Sequence, residues 1–328
     1  RYIDTAYPYH GGESEIVIGK ALKDGYREKV ILTTKLPVWL VKTHEDMMKF
    51  LDEQLKKLDT PYVDFYILHA MNNERMDAMQ KLDYKRFYAE AIAQGKVRYP
   101  GFSFHDDAKA FLRILHDWNQ WGMCQVQMNI LDDENQATLE GIREAGRRGV
   151  GVVVMEPLRG GLLANPPVDV KAVYDAYAVR RSPVEWGFRY LYAMPEVITI
   201  LSGMSTWAQV TDNLRIFDMA KRPTLTDEEL ALYQKVKATY LARTKTRCTG
   251  CKYCQPCPMG VQIPRIFQGY DAAMLRADSS FKAGYAQIQA DHADASQCIH
   301  CRKCEHVCPQ HLPITRFLEE IHAVSTAE

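Results

Sequence analysis

The sequence predicts an α/β chain in two parts: a TIM-type (β/α)8 barrel, entered at its second strand, over residues 1–242, and a small, mainly helical, ferredoxin-like domain over residues 243–328. Three observations carry this. Short apolar runs alternate with amphipathic helical segments in a βα rhythm, which suits either an open doubly wound sheet or a barrel. No G-x-G-x-x-G turn follows the first run, as an open dinucleotide-binding sheet would want. Eight of the nine cysteines fall between Cys248 and Cys308, in two closely spaced runs.

Taken in order, Arg1-Tyr2-Ile3-Asp4 reads as the end of a strand with no turn or cap before it. Val30–Thr34, Tyr62–Leu68, Val97–Ser103, Met123–Met128, Gly151–Met155 and Val197–Leu201 are short apolar runs suited to buried parallel strands. With the opening fragment they make seven. A barrel takes eight, so the expectation is that a first strand belongs upstream of Arg1, and that its loss leaves two sheet edges unpaired. Between these runs, Ser14–Lys23, Glu45–Leu58, Asp83–Ala93, Asp107–Asp117, Asn135–Arg147 and Trp207–Met219 carry helical periodicity. An interruption at Asn165–Pro167 precedes helical Asp169–Ala178 and Pro183–Tyr192. Asp227–Leu241 is one more helix, with Thr226 placed to cap it. Arg243–Arg247 is a basic polar link, and Pro264–Ala290 and Ile314–Ala323 read as helices of the second part.

The 328 residues are 47% hydrophobic, enough for a large core and a small appended domain. Lysine plus arginine equals aspartate plus glutamate, 41 of each. That balance gives no basic excess for nucleic acid or an anionic membrane surface. The apolar runs are strand-length, short of a membrane span.

The cysteine runs are Cys248-x2-Cys251-x2-Cys254-x2-Cys257-Pro258 and Cys298-x2-Cys301-x2-Cys304-x3-Cys308-Pro309. The second is the bacterial ferredoxin pattern and the first differs from it by one residue. In two-cluster ferredoxins the cysteine before proline serves the other cluster. The expected ligand sets are therefore Cys248, Cys251, Cys254 and Cys308 around one [4Fe–4S] centre, and Cys298, Cys301, Cys304 and Cys257 around a second. Zinc would also accept thiolates, but its sites usually come as separated pairs of ligands. Cysteines that must stay reduced favour a cytoplasmic setting. Cys124, alone among apolar residues, reads as a small buried side chain.

Ionisable residues then stand out at strand ends, where barrels build their active sites. Asp4, Lys35 and His69 each close an apolar run, 31 and 34 residues apart, one βα unit each. Consecutive strands would present them on one rim, with Tyr9 at the start of the next loop. The chemistry suggested is proton transfer to a carbonyl oxygen. An ammonium beside a phenol stabilises the phenolate, Asp4 would hold Lys35, and His69 would donate a hydrogen bond to the developing oxyanion. None of these residues supplies electrons, so a hydride donor is required.

The stretches Tyr2-Ile-Asp-Thr-Ala-Tyr-Pro-Tyr-His10, Thr34-Lys35, Leu68-His69 and Gly95-Lys-Val-Arg-Tyr-Pro-Gly-Phe-Ser103 resemble an aldo-keto reductase. With the cysteine runs, the chain resembles the branch of that family carrying a C-terminal domain with two [4Fe–4S] clusters. The resemblance implies a catalytic tetrad of Asp4, Tyr9, Lys35 and His69, with Tyr9 as general acid, and NADP or NAD as cofactor. It places Ser103 and Gln125 at the nicotinamide carboxamide, and the loop of Ser202, Gly203, Met204 and Ser205, with Asn213, at the pyrophosphate and adenine. Two positions depart from the family pattern. Met155 stands where a tyrosine often stacks on nicotinamide, and Gln209 where an arginine commonly selects the NADP 2′-phosphate; the choice between NAD and NADP stays open. The implied function is an oxidoreductase interconverting a small-molecule carbonyl and an alcohol, coupled to one-electron carriers. Its redox partner would be a ferredoxin or flavoprotein, any flavin coming from that partner. The competing reading is an electron-transfer or docking subunit of a redox complex, with little nicotinamide chemistry in the barrel.

Overall fold

The computed structural model describes residues 1–218, 221–248, 250, 252–308 and 310–327. The sequence-predicted Cys251, Pro309 and the helix end at Met219 lie outside the described residues. Seven strands follow the order of the chain: β1 (Tyr2–Asp4), β2 (Ile31–Leu36), β3 (Val63–Met71), β4 (Val97–Phe104), β5 (Met123–Gln127), β6 (Gly151–Met155) and β7 (Val197–Ile200). All pairings are parallel and each strand pairs with its neighbour in sequence. The sheet is a nearly closed barrel of seven strands; β1 pairs only with β2 and β7 only with β6 among the described residues.

Helices α1 (Ser14–Ala21), α2 (His44–Lys57), α3 (Asn73–Lys81), α4 (Tyr84–Ala93), α5 (Ala108–Asp117) and α6 (Thr138–Arg147) fall between strands, followed by α7 (Val168–Asp175), α8 (Pro183–Tyr192) and α9 (Trp207–Phe217). Beyond the sheet lie α10 (Asp227–Arg243), α11 (Ile263–Arg276), α12 (Ser280–Ala290), the short α13 (Lys303–His306) and α14 (Ile314–Thr326). The helix α3 is not in the sequence reading, and the stretch Pro264–Ala290 read there as helical is two helices. The chain reverses between them where Ala277 takes a left-handed φ of 56°. No helix among the described residues is long and apolar enough to cross a membrane.

The described chain forms two compact units. One comprises Arg1–Gly160 with Val184–Leu225, and holds the sheet; the other comprises Gly161–Pro183 with Thr226–Glu328. In the first, strand side chains alternate between two faces, so every second residue points into the barrel. Ile67, Met123 and Val153 pack there with Tyr2, Phe65 and Leu201. Gly101 belongs to the same layer: a Cβ on it would sit 2.8 Å from both the Ile67 side chain and the Met123 carbonyl oxygen. The opposite strand face packs on the helices through fully buried aromatics such as Tyr84, Tyr88, Phe102 and Phe111.

In the second unit, α11, α12 and α14 bury Ile266, Phe267, Tyr285, Leu318 and Ile321, and Cys248, Cys254, Cys257, Cys298 and Cys304 pack against this core. The link into the cysteine region is fastened by one carboxylate. Asp271, buried on α11, accepts from the backbone N–H groups of Lys245 (2.9 Å), Thr246 (3.1 Å) and Arg247 (2.7 Å) and from the Thr246 hydroxyl (2.7 Å). The same hydroxyl oxygen accepts from the Cys248 N–H at 3.2 Å, so Asp271 sets the backbone from which the first cysteine projects.

Candidate active site and cysteine cavities

One turn of the pleat beyond the apolar barrel layer, the same inward face becomes polar. Asp4 follows Tyr2 on β1 and Lys35 follows Thr33 on β2. His69 follows Ile67 on β3, Ser103 follows Gly101 on β4, and Gln125 follows Met123 on β5, each by two residues. Parity therefore brings the side chains into one layer. Lys35, only 1% exposed, donates from Nζ to Asp4 Oδ1 at 2.5 Å and to the Thr5 carbonyl oxygen at 2.8 Å. Its ammonium lies 4.7 Å from the centre of the Tyr9 ring. Tyr9, 37% exposed, is carried on a tight turn after β1 and meets the His69 ring edge-on, centroids 5.8 Å apart. The Trp39 ring also lies against His69, centroids 5.1 Å apart. The four residues expected to act together stand together. Lys35 and His69 lie inside their strands, one and two residues short of the ends, where the sequence reading had placed them at the ends.

Burial raises the Asp4 carboxyl above its usual range, opposed by the Lys35 ammonium and by the Gln125 amide, whose Nε2 donates to Asp4 Oδ2 at 3.1 Å. Burial also drives His69 down, to about 3, with the cations Lys35 and Arg75 and the neighbouring His105 adding to the effect. The imidazole is thus neutral at physiological pH and offers a single N–H. Behind Lys35, on the outer strand face, Thr34 and Gln54 both donate to Glu15 Oε1 at 2.6 Å, and Gln54 donates on to the Lys35 carbonyl oxygen at 3.1 Å. This network fixes the backbone of the lysine to α1 and α2.

A β-bulge aims His69. Leu68 pairs with Phe102 and Met71 with Phe104, so two residues, His69 and Ala70, face the single Ser103. Such an insertion bends its strand and leaves a residue out of the ladder. Ala70 takes a left-handed φ of 54°, and both its backbone groups find side chains: its N–H donates to Ser103 Oγ at 2.7 Å, and Arg75 Nη1 donates to its carbonyl oxygen at 2.5 Å. Arg75 also lies over the Trp39 ring at 5.3 Å.

The expected nucleotide residues fall in two places. Ser103 and Gln125 are buried in the polar layer, and Gln125 Oε1 has no hydrogen-bond partner among the described residues. A buried acceptor left open beside a hydroxyl fits an amide such as the nicotinamide carboxamide. Met155, half-buried, closes β6. Ser202, Gly203, Met204 and Ser205 form an exposed loop leading into α9. Asn213 Nδ2 donates to Ser202 Oγ at 2.9 Å, while Gln209 closes a capping box with Thr206, its Oε1 accepting from the Ser205 N–H at 2.7 Å.

In the second unit the cysteines line two cavities. Cys257, Cys298, Cys301 and Cys304, with Cys254, line a cavity of about 200 Å³. Cys248, Cys254 and Cys308 line a smaller one of about 20 Å³. Their expected companion Cys251 lies outside the described residues, and among the described residues no three Cys, His, Asp or Glu side chains form a closed coordination group. The donor chemistry nevertheless fits an iron–sulfur centre, with soft sulfur ligands on apolar walls and no carboxylate on either. Cys124 is buried on β5, its thiol pushed up to about 12 by burial, as its solitary apolar setting suggests.

Residues 1–238 match the Aldo/keto reductase family. The chain belongs to that family. Residues 247–312 match a 4Fe-4S dicluster domain, so this aldo-keto reductase carries a ferredoxin-type domain there. Methylglyoxal reductase YeaE of Escherichia coli (strain K12) is 38% identical over 246 residues, covering 71% of this chain and 78% of that protein. Among solved structures, aldo-keto reductase AKR11C1 from Bacillus halodurans (holo form) is 29% identical with a TM-score of 0.59, covering 72% of this chain and 81% of that one. An aldo-keto reductase from Klebsiella pneumoniae solved in complex with NADPH is 23% identical with a TM-score of 0.56, covering 72% and 79%, a likeness of fold. The chain is accordingly an oxidoreductase of aldo-keto reductase type. The bulge at His69–Ala70, its support Arg75 and the anchor Asp271 are absent from the sequence reading. A lone arginine and a lone aspartate on helices carry no pattern that marks them.

Proposed function

We propose that this aldo-keto reductase interconverts a small carbonyl compound and its alcohol with NAD(P)H, using Tyr9 as the general acid and base. The observation that carries the reading is the Tyr9 ring lying close to both the Lys35 ammonium, at 4.7 Å, and the His69 ring, at 5.8 Å, with Lys35 held by Asp4 at 2.5 Å. The bound nicotinamide supplies hydride to the carbonyl carbon. Tyr9 gives its phenolic proton to the carbonyl oxygen, completing the alcohol. Lys35 stabilises the phenolate left behind, and Asp4 confines that ammonium to one position. Neutral His69 orients the substrate oxygen through its N–H. Gln125 Oε1 and Ser103 would hold the carboxamide, and the exposed loop before α9 would receive the pyrophosphate at a helix N-terminus.

The reading includes two [4Fe–4S] clusters, one on Cys248, Cys251, Cys254 and Cys308, the other on Cys257, Cys298, Cys301 and Cys304. Bound there, each supplies a one-electron store. Hydride carries two electrons, so joining the two chemistries takes a flavin or radical step in a partner protein. One whole predicted set lining the larger cavity, and three cysteines of the other lining the smaller, support this part.

The test is Tyr9→Phe in anaerobically purified protein. Carbonyl reduction is expected to fall by about 10²–10⁴ in kcat, the usual contribution of a positioned acid. Unchanged turnover would overturn the assignment. Visible absorbance recorded before and after NADPH tests the coupling: broad absorbance that bleaches supports it, and absorbance that stays put separates barrel from clusters.

A further inference from the structure

The larger cysteine cavity opens among exposed apolar side chains. Tyr253 is 67% exposed, Ile299 59% and Val307 51%, and all three line it. Exposed apolar residues grouped around one opening mark contact sites. Arg302 and Lys303 are the charged residues of that wall, both positive, and Lys252 lines the adjoining smaller cavity. All three are exposed, and among the described residues none makes an ion pair. Elsewhere in the same unit several cations are paired, Lys245 with Glu320 at 2.5 Å, Arg265 with Asp291 at 3.4 Å and Arg276 with Asp278 at 2.8 Å, while Lys282 and Arg247 donate to backbone carbonyls.

Two carboxylates lie nearest in sequence. Glu305 accepts from the Thr315 N–H and hydroxyl, each at 2.8 Å, and against burial these bonds, with the charges of Arg302 and His306, hold its carboxyl below the usual range; Glu319 faces His300 at 3.5 Å. Arg302 also holds a left-handed φ of 57° ahead of α13, a conformation that costs an arginine and would suit glycine or asparagine. Lys252 takes the same conformation, φ 65°, at the matching position of the first run, so a cation stands on the turn between the second and third cysteines of each run.

We propose that this face docks an acidic one-electron carrier protein, with Arg302, Lys303 and Lys252 meeting its carboxylates around an apolar centre of Tyr253, Ile299 and Val307. The inference rests on the reading that the neighbouring cysteines hold clusters, and it goes further by giving the partner's charge and the contact surface. Redox encounters bury little area and turn over quickly, so complementary charge supplies most of their orientation and association rate. Cations around an apolar centre provide both.

The experiment measures binding of an acidic flavodoxin to the cluster-loaded full-length protein by titration calorimetry, at about 20 mM and about 200 mM salt. Affinity is expected to fall with salt. Arg302→Glu with Lys303→Glu is expected to weaken low-salt binding by about tenfold or more and to remove the salt dependence. Should charge reversal disturb the unit, Arg302→Gln with Lys303→Gln is expected to weaken binding by about threefold, with visible absorbance retained. Flavodoxin binding indifferent to salt or to both double variants overturns the proposal, as does equal affinity for the basic carrier cytochrome c. A colourless protein overturns the cluster reading and the docking inference together, whereas a coloured protein with salt-indifferent binding overturns the docking alone.

Discussion

Replacing Asp271 by asparagine should loosen the cysteine unit far more than so small a change suggests. Its two carboxylate oxygens accept from three backbone N–H groups and one hydroxyl, and no donor of its own is involved. Oδ1 serves Lys245 and Thr246, and Oδ2 serves Thr246 and Arg247. Whichever way an asparagine amide turns, its NH2 faces a backbone N–H that has lost its acceptor. A buried orphaned N–H costs about 1–3 kcal/mol, and a hydrogen bond to a charged group is worth about 1.5–3 kcal/mol. Allowing for partial relaxation, the expected loss is about 2–4 kcal/mol. With a urea dependence of about 1–3 kcal/mol per molar, the midpoint should fall by roughly 1–2 M. The assay is urea unfolding of the cluster-loaded protein followed by visible absorbance, which reports the cysteine unit apart from the barrel. Because the Thr246 hydroxyl also fixes the Cys248 N–H, absorbance should bleach ahead of the barrel's circular-dichroism transition. A midpoint within about 0.3 M of the parent, with absorbance intact, would refute the reasoning.

Four further outcomes follow from the barrel. Glu15→Gln should raise the barrel's Tm by roughly 2 °C near neutral pH, since burial raises the Glu15 carboxyl and leaves Oε2 without a partner among the described residues; an unchanged or lower Tm by scanning calorimetry counts against it. His69 sits near 3 in the fold and near 6.5 unfolded, so the unfolded chain alone takes up a proton between those values. Its contribution is therefore constant above pH ~6.5 and declines by up to about 1.4 kcal/mol per unit as pH falls below it, a slope that His69→Gln should lose in urea titrations at several pH values. Gly101→Ala should destabilise by about 1–3 kcal/mol, because the Met123 carbonyl 2.8 Å from the new Cβ is backbone and cannot swing aside; a thermal melt matching the parent would sink the close-packing argument. Arg75→Met removes the donor to the Ala70 carbonyl and a cation near His69, so the His69 titration seen by NMR should move up toward its ordinary value and kcat/KM fall by about tenfold; an unmoved titration would limit Arg75 to surface packing.

These outcomes separate what the sequence carries openly from what it conceals. The strands were legible because each is a short apolar run, and the candidate tetrad because one βα unit separates Asp4, Lys35 and His69. Parity then does what spacing alone cannot: Lys35 and His69 lie short of their strand ends, yet both fall on the inward face. Helix α3 was missed because nine residues are too few for periodicity to show, although its cap was readable, Asn72 accepting from the Arg75 N–H at 2.8 Å. The break at Ala277 had a signal of the same kind in Asp278-Ser279-Ser280, where Asp278 accepts from the Ser280 N–H at 3.0 Å.

The bulge and the anchor are of another kind. An extra residue in β3 changes no hydrophobic pattern until Ser103 is known to lie opposite, and Asp271 binds donors 24 to 26 residues upstream. Both arrange groups that the sequence does announce: the bulge aims a legible histidine, and the aspartate holds the backbone of a legible cysteine. A residue that does chemistry must be of one particular type and so stands out in a sequence. A residue that positions it need only offer an acceptor or a donor at the right point in space, and many types at many separations along the chain can do that. Supports of this sort become visible when the question is where each buried N–H and C=O finds its partner. In this chain that question leads from His69 to Ser103 and Arg75, and from Cys248 to Asp271.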